Sequence, residues 1–138
     1  MSAVLTNYVK SVGESENPKR EILKWVRGIE KEYILPGKVI VATYARPHKT
    51  SGGIILTDNV RQEDVYQGSC GLIVNLSEEY SFKYADGGYK FEGTPPKLYD
   101  WVIYRAADGM SISYNKAACR ILREESIMAV TKYPEKWY

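Results

Sequence analysis

The sequence is poor in the side chains that build metal sites, disulfides and nucleophilic active sites. It has two cysteines, Cys70 and Cys119, and one histidine, His48, which lies in a polar stretch. Both cysteines stand among small or apolar neighbours, so we interpret them as buried core residues rather than as a bridge or metal ligands. These residues supply neither a zinc site nor a Cys–His couple. Nothing in the sequence therefore supports a metal or an enzyme.

The sequence also lacks long apolar runs, a strong net charge and a phosphate-binding loop. Its longest uninterrupted apolar runs have four residues, whereas a membrane-spanning helix needs about 20. Nineteen Lys and Arg against seventeen Asp and Glu give a net charge of +2, which is too balanced for a nucleic-acid-binding surface. Neither glycine pair has the spacing and lysine of a P-loop. We therefore expect no membrane and no nucleic-acid partner.

One amphipathic helix is predicted near the N-terminus of the 138-residue chain. Asn17 can cap it, Pro18 suits its first turn, and Pro36-Gly37 ends the pattern. Helical spacing places an apolar stripe on one side, formed by Ile22, Trp25, Val26, Ile29 and Tyr33. A helix over Pro18–Tyr33 cannot bury this stripe alone, so we expect it to cover another part of the fold.

Everything after Pro36 is typical of strands and turns. Short runs rich in β-branched and aromatic residues are separated by Gly, Asp and Pro. The predicted strands are Val39–Ala42, Gly71–Leu76, Trp101–Tyr104, Met110–Tyr114 and Ile127–Val130. This pattern predicts an all-β chain with a small antiparallel barrel rather than a layered α/β fold.

Two segments do not fit a plain barrel. Residues 43–67 are long and polar but contain the apolar triplet Ile54-Ile55-Leu56, which taken alone is more typical of a strand start than of an exposed loop. In residues 78–93, aromatic residues alternate with polar ones around an Asp86-Gly87 turn, which predicts a hairpin with its aromatics on one face. Those aromatics are Tyr80, Phe82, Tyr84, Tyr89 and Phe91.

Several motifs, in order along the chain, together resemble the GroES family of co-chaperonins. The first is Leu35–Val41, and ten residues later Gly52–Thr57 is similar to the family's Gly-Gly-Ile-Val-Leu-Thr signature. Further similarities lie at Gln67–Val74, Lys97–Tyr104 and Cys119–Val130. The resemblance covers about residues 34–131, with an N-terminal extension at 1–33 and a tail at 132–138. Its divergence favours a bacteriophage-encoded member.

The resemblance implies a GroES-like antiparallel β-barrel with a long mobile loop, a roof hairpin and the added helix. The mobile loop, which would bind a chaperonin, comprises Gly52, Gly53, Ile54, Ile55 and Leu56. The subunit interface would pair the first and last strands of neighbouring subunits through Val39, Ile40 and Val41 and through Ile127, Met128, Ala129 and Val130. The roof hairpin would be the aromatic hairpin described above.

The resemblance also implies a non-enzymatic, cytoplasmic co-chaperonin that caps a GroEL-type ring and encloses the client chamber. The protein would be a homo-oligomer, a heptamer in the family, and would hold no cofactor, because ATP binds to the partner chaperonin. Unfolded client proteins would be indirect partners. The alternative is a structural or virion-associated β-barrel assembly protein without chaperonin binding.

Overall fold

The computed structural model describes residues 17–44, 69–76 and 95–137, apart from 106 and 116, and the chain is mostly β in these parts. Within these residues an α-helix, α1, spans Pro18–Trp25. The same described residues form six strands, namely β1 Lys38–Thr43, β2 Cys70–Leu76, β3 Trp101–Tyr104, β4 Met110–Tyr114, β5 Ala117–Arg123 and β6 Ile127–Thr131. All five predicted strands are present, and β5, which appeared only within the last family motif, is the sixth.

The strands form one antiparallel sheet in the order β4-β5-β1-β2-β3-β6. β1 lies in the middle and pairs with β2 on one side and with β5 on the other. Val39 of β1 lies opposite Leu76 of β2 and Leu122 of β5, and these pairs define the register of β1 with both neighbouring strands. The predicted all-β class is confirmed, and the sheet is consistent with a GroES-like barrel.

The side chains on both faces of the central strands β1 and β2 are buried. This matches their sequences, which are nearly continuous apolar runs. Alternate residues therefore enter two different clusters. The cluster on the side of α1, which we call the helix-side cluster, contains Ile40, Ala42, Leu72, Val74 and Trp101 together with three residues of the N-terminal extension. The cluster on the other face of the sheet, the opposite-face cluster, contains Val39, Val41, Ile73, Val102, Tyr104 and Leu122.

The extension is part of the folded unit. Ile22, Val26 and Ile29 are at most 2% exposed and belong to the helix-side cluster. The Nδ2 atom of buried Asn75 donates to the carbonyl oxygens of Ile29 and Glu32 at 2.7 and 2.8 Å. This segment therefore covers another part of the fold, as expected, and residues 17–32 share one core with the sheet.

The predicted helix is too long. The Asn17 side chain caps α1 by accepting a hydrogen bond from the Arg20 N–H at 3.1 Å, as the sequence indicates. However, α1 ends at Trp25 because Gly28 adopts a left-handed conformation, with φ of 97°, and a short 3₁₀ turn at Ile29–Lys31 follows. The apolar stripe therefore ends at Ile29, and Tyr33, which was predicted to be buried, is 85% exposed.

Candidate subunit interface

The mobile loop and the roof hairpin lie outside the described residues. Residues Gly52, Gly53, Ile54, Ile55 and Leu56 fall in one gap, and the five hairpin aromatics fall in another. Their roles stay predictions. The sequence-predicted site that can be placed on the fold is the pair of strands expected at the subunit interface.

The first of these strands, β1, has no free edge. Val39, Ile40 and Val41 pair with β2 and β5 of their own chain, so their backbone hydrogen bonds are directed to those strands. Their side chains are also at most 5% exposed. The expectation that β1 offers an edge to a neighbouring subunit is wrong, because a third strand would have to displace β2 or β5.

The second strand, β6, does have a free edge among the described strands. It pairs only with β3, along Ile127–Thr131. Its side chains alternate, so that Met128 and Val130 are 67% and 48% exposed while Ile127 and Ala129 are half-buried. A strand with one unpaired edge and exposed apolar side chains is suited to pairing with another chain. The role of Ile127–Val130 in an interface stays a prediction.

The opposite edge strand, β4, is more polar. Ser111 and Ser113 are exposed, and Met110 is the large apolar residue exposed there. The buried Arg120 of β5 donates through Nη1 to the Ser111 hydroxyl and through Nη2 to the Asp108 carbonyl, both at 2.9 Å. These hydrogen bonds fix the start of β4 to its own sheet and leave a less apolar edge than that of β6.

A second exposed apolar surface lies between the 3₁₀ turn and β1. Tyr33 and Leu35 are 85% and 64% exposed, whereas Ile34 between them is half-buried and packs against the helix-side cluster. This alternation shows an extended segment with two side chains directed away from the protein. The sequence analysis missed this segment because it continued the helical period through Gly28, and that glycine was the available signal for an earlier helix end.

The segment is held at both ends. Asn75 holds the Glu32 carbonyl at 2.8 Å, and the Lys38 N–H donates to the Leu35 carbonyl at 3.3 Å. Two residues after Leu35, the Gly37 carbonyl accepts a hydrogen bond from the Glu124 N–H at 3.0 Å. Tyr33 and Leu35 are therefore presented on a fixed backbone.

The tail after β6 folds against the end of that strand. The Thr131 hydroxyl accepts hydrogen bonds from the Tyr133 N–H at 3.0 Å and from the Trp137 indole N–H at 2.8 Å. A 3₁₀ turn spans Pro134–Lys136, and the Lys136 ammonium lies 4.5 Å from the centre of the Tyr133 ring. Tyr133 and Trp137 remain about half exposed.

Two buried titratable groups in the sheet, Cys119 and Tyr104, are held in their neutral form. Burial raises the pKa of the Cys119 thiol to about 12. Burial also raises the pKa of the Tyr104 phenol to about 12, although its contact with Thr43 acts in the opposite direction. Within the described ranges, no group of three His, Cys, Asp or Glu residues could hold a metal ion.

Comparison with known proteins adds one match. The family model described as "Chaperonin 10 Kd subunit" matches residues 33–131, a range that contains all six described strands but excludes α1 and the tail. Among the curated proteins compared with the chain, none matches it. In the described part of the chain, no helix is long and apolar enough to cross a membrane.

Proposed function

We propose that this chain, which belongs to the chaperonin 10 kDa subunit family, caps a GroEL-type chaperonin ring and closes its client chamber during ATP-dependent folding. Membership of the family supports co-chaperonin function, self-association and a chaperonin as the partner. The observation on which the proposal rests is the family match over residues 33–131, which includes every strand of the sheet.

Binding to the chaperonin is assigned to the apolar triplet Ile54-Ile55-Leu56 behind Gly52-Gly53. Burying one large apolar side chain yields about 1.5–3 kcal/mol, so three supply about 5–9 kcal/mol before costs. Ordering the segment costs about 1–2 kcal/mol for each backbone residue that is fixed. One loop therefore binds weakly, and several loops on one ring bind together through their high effective concentration. Such a cap can both attach and dissociate.

Assembly into a ring is assigned to the free edge of β6. A ring requires a head-to-tail contact between two different surfaces of the same subunit. β6 supplies one such surface, with an edge that no other described strand pairs with and the exposed side chains of Met128 and Val130. Because β1 is enclosed by β2 and β5, the complementary surface lies elsewhere on the subunit.

The remaining chemistry is assigned to the partner. ATP binds and is hydrolysed on the chaperonin, and the cap itself holds no cofactor, catalyses no reaction and acts in the cytoplasm. The aromatic hairpin residues Phe82 and Tyr84 would lie over the centre of the ring, where they would contact one another, a neighbouring subunit or an enclosed client.

The direct test is a gel-filtration shift with a GroEL-type ring, with and without ATP. Wild-type protein is expected to co-elute with the ring only when nucleotide is present. The variant Ile55→Ser should lose most of this shift, because it removes one apolar contact from every loop of the cap. Met110→Ser, which changes an exposed apolar residue on β4, is the matched control and should co-elute normally.

Two results would contradict the proposal. An unaltered shift for Ile55→Ser would remove the triplet from the mechanism. A wild-type protein that assembles into rings but never binds the chaperonin would favour the structural or virion-associated alternative.

A further inference from the structure

A groove of about 590 Å³ lies beside the start of α1, and we call it the helix-start groove. Its lining comes from the start of α1, from Asp100 and Trp101 at the start of β3, and from the end of β6 with the tail. The apolar part of this lining includes Trp101, Val130 and Pro134. The volume is within the usual range for binding pockets of about 300–1,000 Å³.

The helix-start groove continues a surface that the N-terminal extension already covers. Trp101, which lines the groove, belongs to the helix-side cluster, into which three residues of the extension also pack. Asn17 and Pro18, at the N-terminal end of α1, line the groove as well. A chain segment that precedes Asn17 therefore starts at the groove itself.

The N-terminal arm, which we define as residues 1–16, is that segment. It lies outside the described residues, and of the stretches outside them it is the one that is bonded directly to a groove-lining residue. At about 3.4 Å per residue it is long enough to reach about 55 Å. Its sequence supplies the apolar side chains of Val4, Leu5, Tyr8 and Val9. Its length, its point of attachment and its composition therefore match an apolar groove beside Asn17.

Charge also favours the N-terminal arm as the occupant. Lys19 and Lys132 line the helix-start groove. The acidic residues of the arm, Glu14 and Glu16, come shortly before α1 in the sequence. Opposite charges at the rim of a contact set orientation and partner choice more than affinity. The two carboxylates would therefore orient the arm as it enters the groove.

Hydrogen bonds hold the groove lining in place. The Asn17 side chain caps α1. The Asp100 carboxylate accepts a hydrogen bond from the Lys97 N–H at 3.0 Å. The Thr131 hydroxyl accepts two hydrogen bonds from the tail. Docking into such a preformed groove costs little ordering of the groove, and the covalent tether gives the arm a high effective concentration.

We propose that the helix-start groove holds the N-terminal arm of its own chain, with Val4, Leu5 and Tyr8 as the side chains that contact its apolar lining. The docked arm completes the cover of the helix-side cluster at Trp101. The contact goes beyond the capping function proposed above and does not depend on it, because the arm, α1 and the tail all lie outside the family match at 33–131.

Cross-linking within one chain tests the contact. In the full-length double variant Asn7→Cys, Lys132→Cys, a short bismaleimide joins the arm to the β6 side of the groove. The native Cys70 and Cys119 are at most 2% exposed and provide little background. The yield is expected to exceed that of the control variant Asn7→Cys, Met110→Cys by roughly tenfold or more, because Met110 lies on β4 at the opposite end of the strand order.

Two results of this experiment would overturn the proposal. The first is an equal yield in the two double variants. The second concerns a mixture of the single variants Asn7→Cys and Lys132→Cys, carrying different mass tags, which records bridges between copies. If that mixture gave the higher yield, the arm would dock on a neighbouring copy instead of its own chain.

Protection of Lys10 from trypsin gives a second measurement. Lys10 is the only Lys or Arg in the N-terminal arm, and cleavage of a segment that opens transiently follows the population of its open form. Each cleavage rate is divided by the rate for a synthetic peptide of residues 1–16 with the same sequence. The variant Leu5→Ser, Tyr8→Ser is then expected to be cut roughly tenfold faster than wild type. Thr6→Ser is the matched control and should be cut at the wild-type rate. Equal normalised rates for wild type and the double variant would also overturn the proposal.

The two proposals can fail separately. A chain that forms the cross-link but shows no ATP-dependent shift with the chaperonin keeps the arm contact and loses the capping function. A chain that shows the shift but no cross-link above the control loses only the arm contact.

Discussion

The variant Ile22→Ala should lower the free energy of unfolding by about 3 kcal/mol. Ile22 is fully buried in the helix-side cluster, between α1 and the sheet. The substitution removes about three methylene equivalents at about 0.8 kcal/mol each, and incomplete collapse of the cavity adds about 1 kcal/mol. The better helix propensity of Ala returns less than about 0.7 kcal/mol.

Urea unfolding, followed by tryptophan fluorescence at one fixed protein concentration, measures this loss. With a slope of about 2 kcal/mol per molar urea, the midpoint should fall by about 1.5 M. Ile22→Val should lose about 1 kcal/mol, and Lys24→Ala, on the exposed side of the same helix, should lie within about 0.5 kcal/mol of wild type. If Ile22→Ala lowered the free energy of unfolding as little as Lys24→Ala does, the N-terminal extension and the sheet would not share one core.

Two further predictions concern buried polar groups. Asn75→Asp should destabilise by about 2–4 kcal/mol, because a carboxylate would face the Ile29 and Glu32 carbonyl oxygens instead of donating to them; urea unfolding indistinguishable from wild type would contradict this. Burial raises the pKa of Cys119 from 9.0 and of Tyr104 from 10.0, each to about 12, so the unfolded chain loses these protons first. Stability should hold below pH 9 and fall as the pH rises towards 12, by about 1.4 kcal/mol per pH unit for each titrating group. Tyr104→Phe should flatten the fall above pH 10, and a profile parallel to wild type would count against the assignment.

Strand positions were predictable where local signals are strong. β3 and β4 begin and end where the sequence predicts, at Trp101–Tyr104 and Met110–Tyr114. Each is a short apolar or alternating run with Asp or Gly immediately before it. β5 was harder to recognise because Arg120 interrupts its apolar pattern, and only the fold reveals that this guanidinium is buried and hydrogen-bonded to Ser111 and Asp108.

Features that depend on distant partners were not predictable. The conformation of Gly28 ends the helical period early, and its packing against Tyr114 depends on a strand far along the chain. The free edge of β6 and the enclosed position of β1 follow from sheet order, which neither strand's own sequence specifies. The expected free edge is absent from β1, whereas the role of the β6 edge in an interface stays a prediction. Tyr33 and Leu35 were missed with the helix end.

The packing of α1 has a consequence for the order of events during synthesis. The helix leaves the ribosome before any of the described strands, yet the Trp25 carbonyl accepts a hydrogen bond from Asn115, 90 positions later. The cluster beneath it also requires Ala117 and Cys119 of β5. The apolar side of the nascent helix therefore lacks its native contacts until most of the polypeptide has been synthesised. Formation of the native subunit therefore depends on contacts between residues far apart in the sequence, which is typical of slow folding.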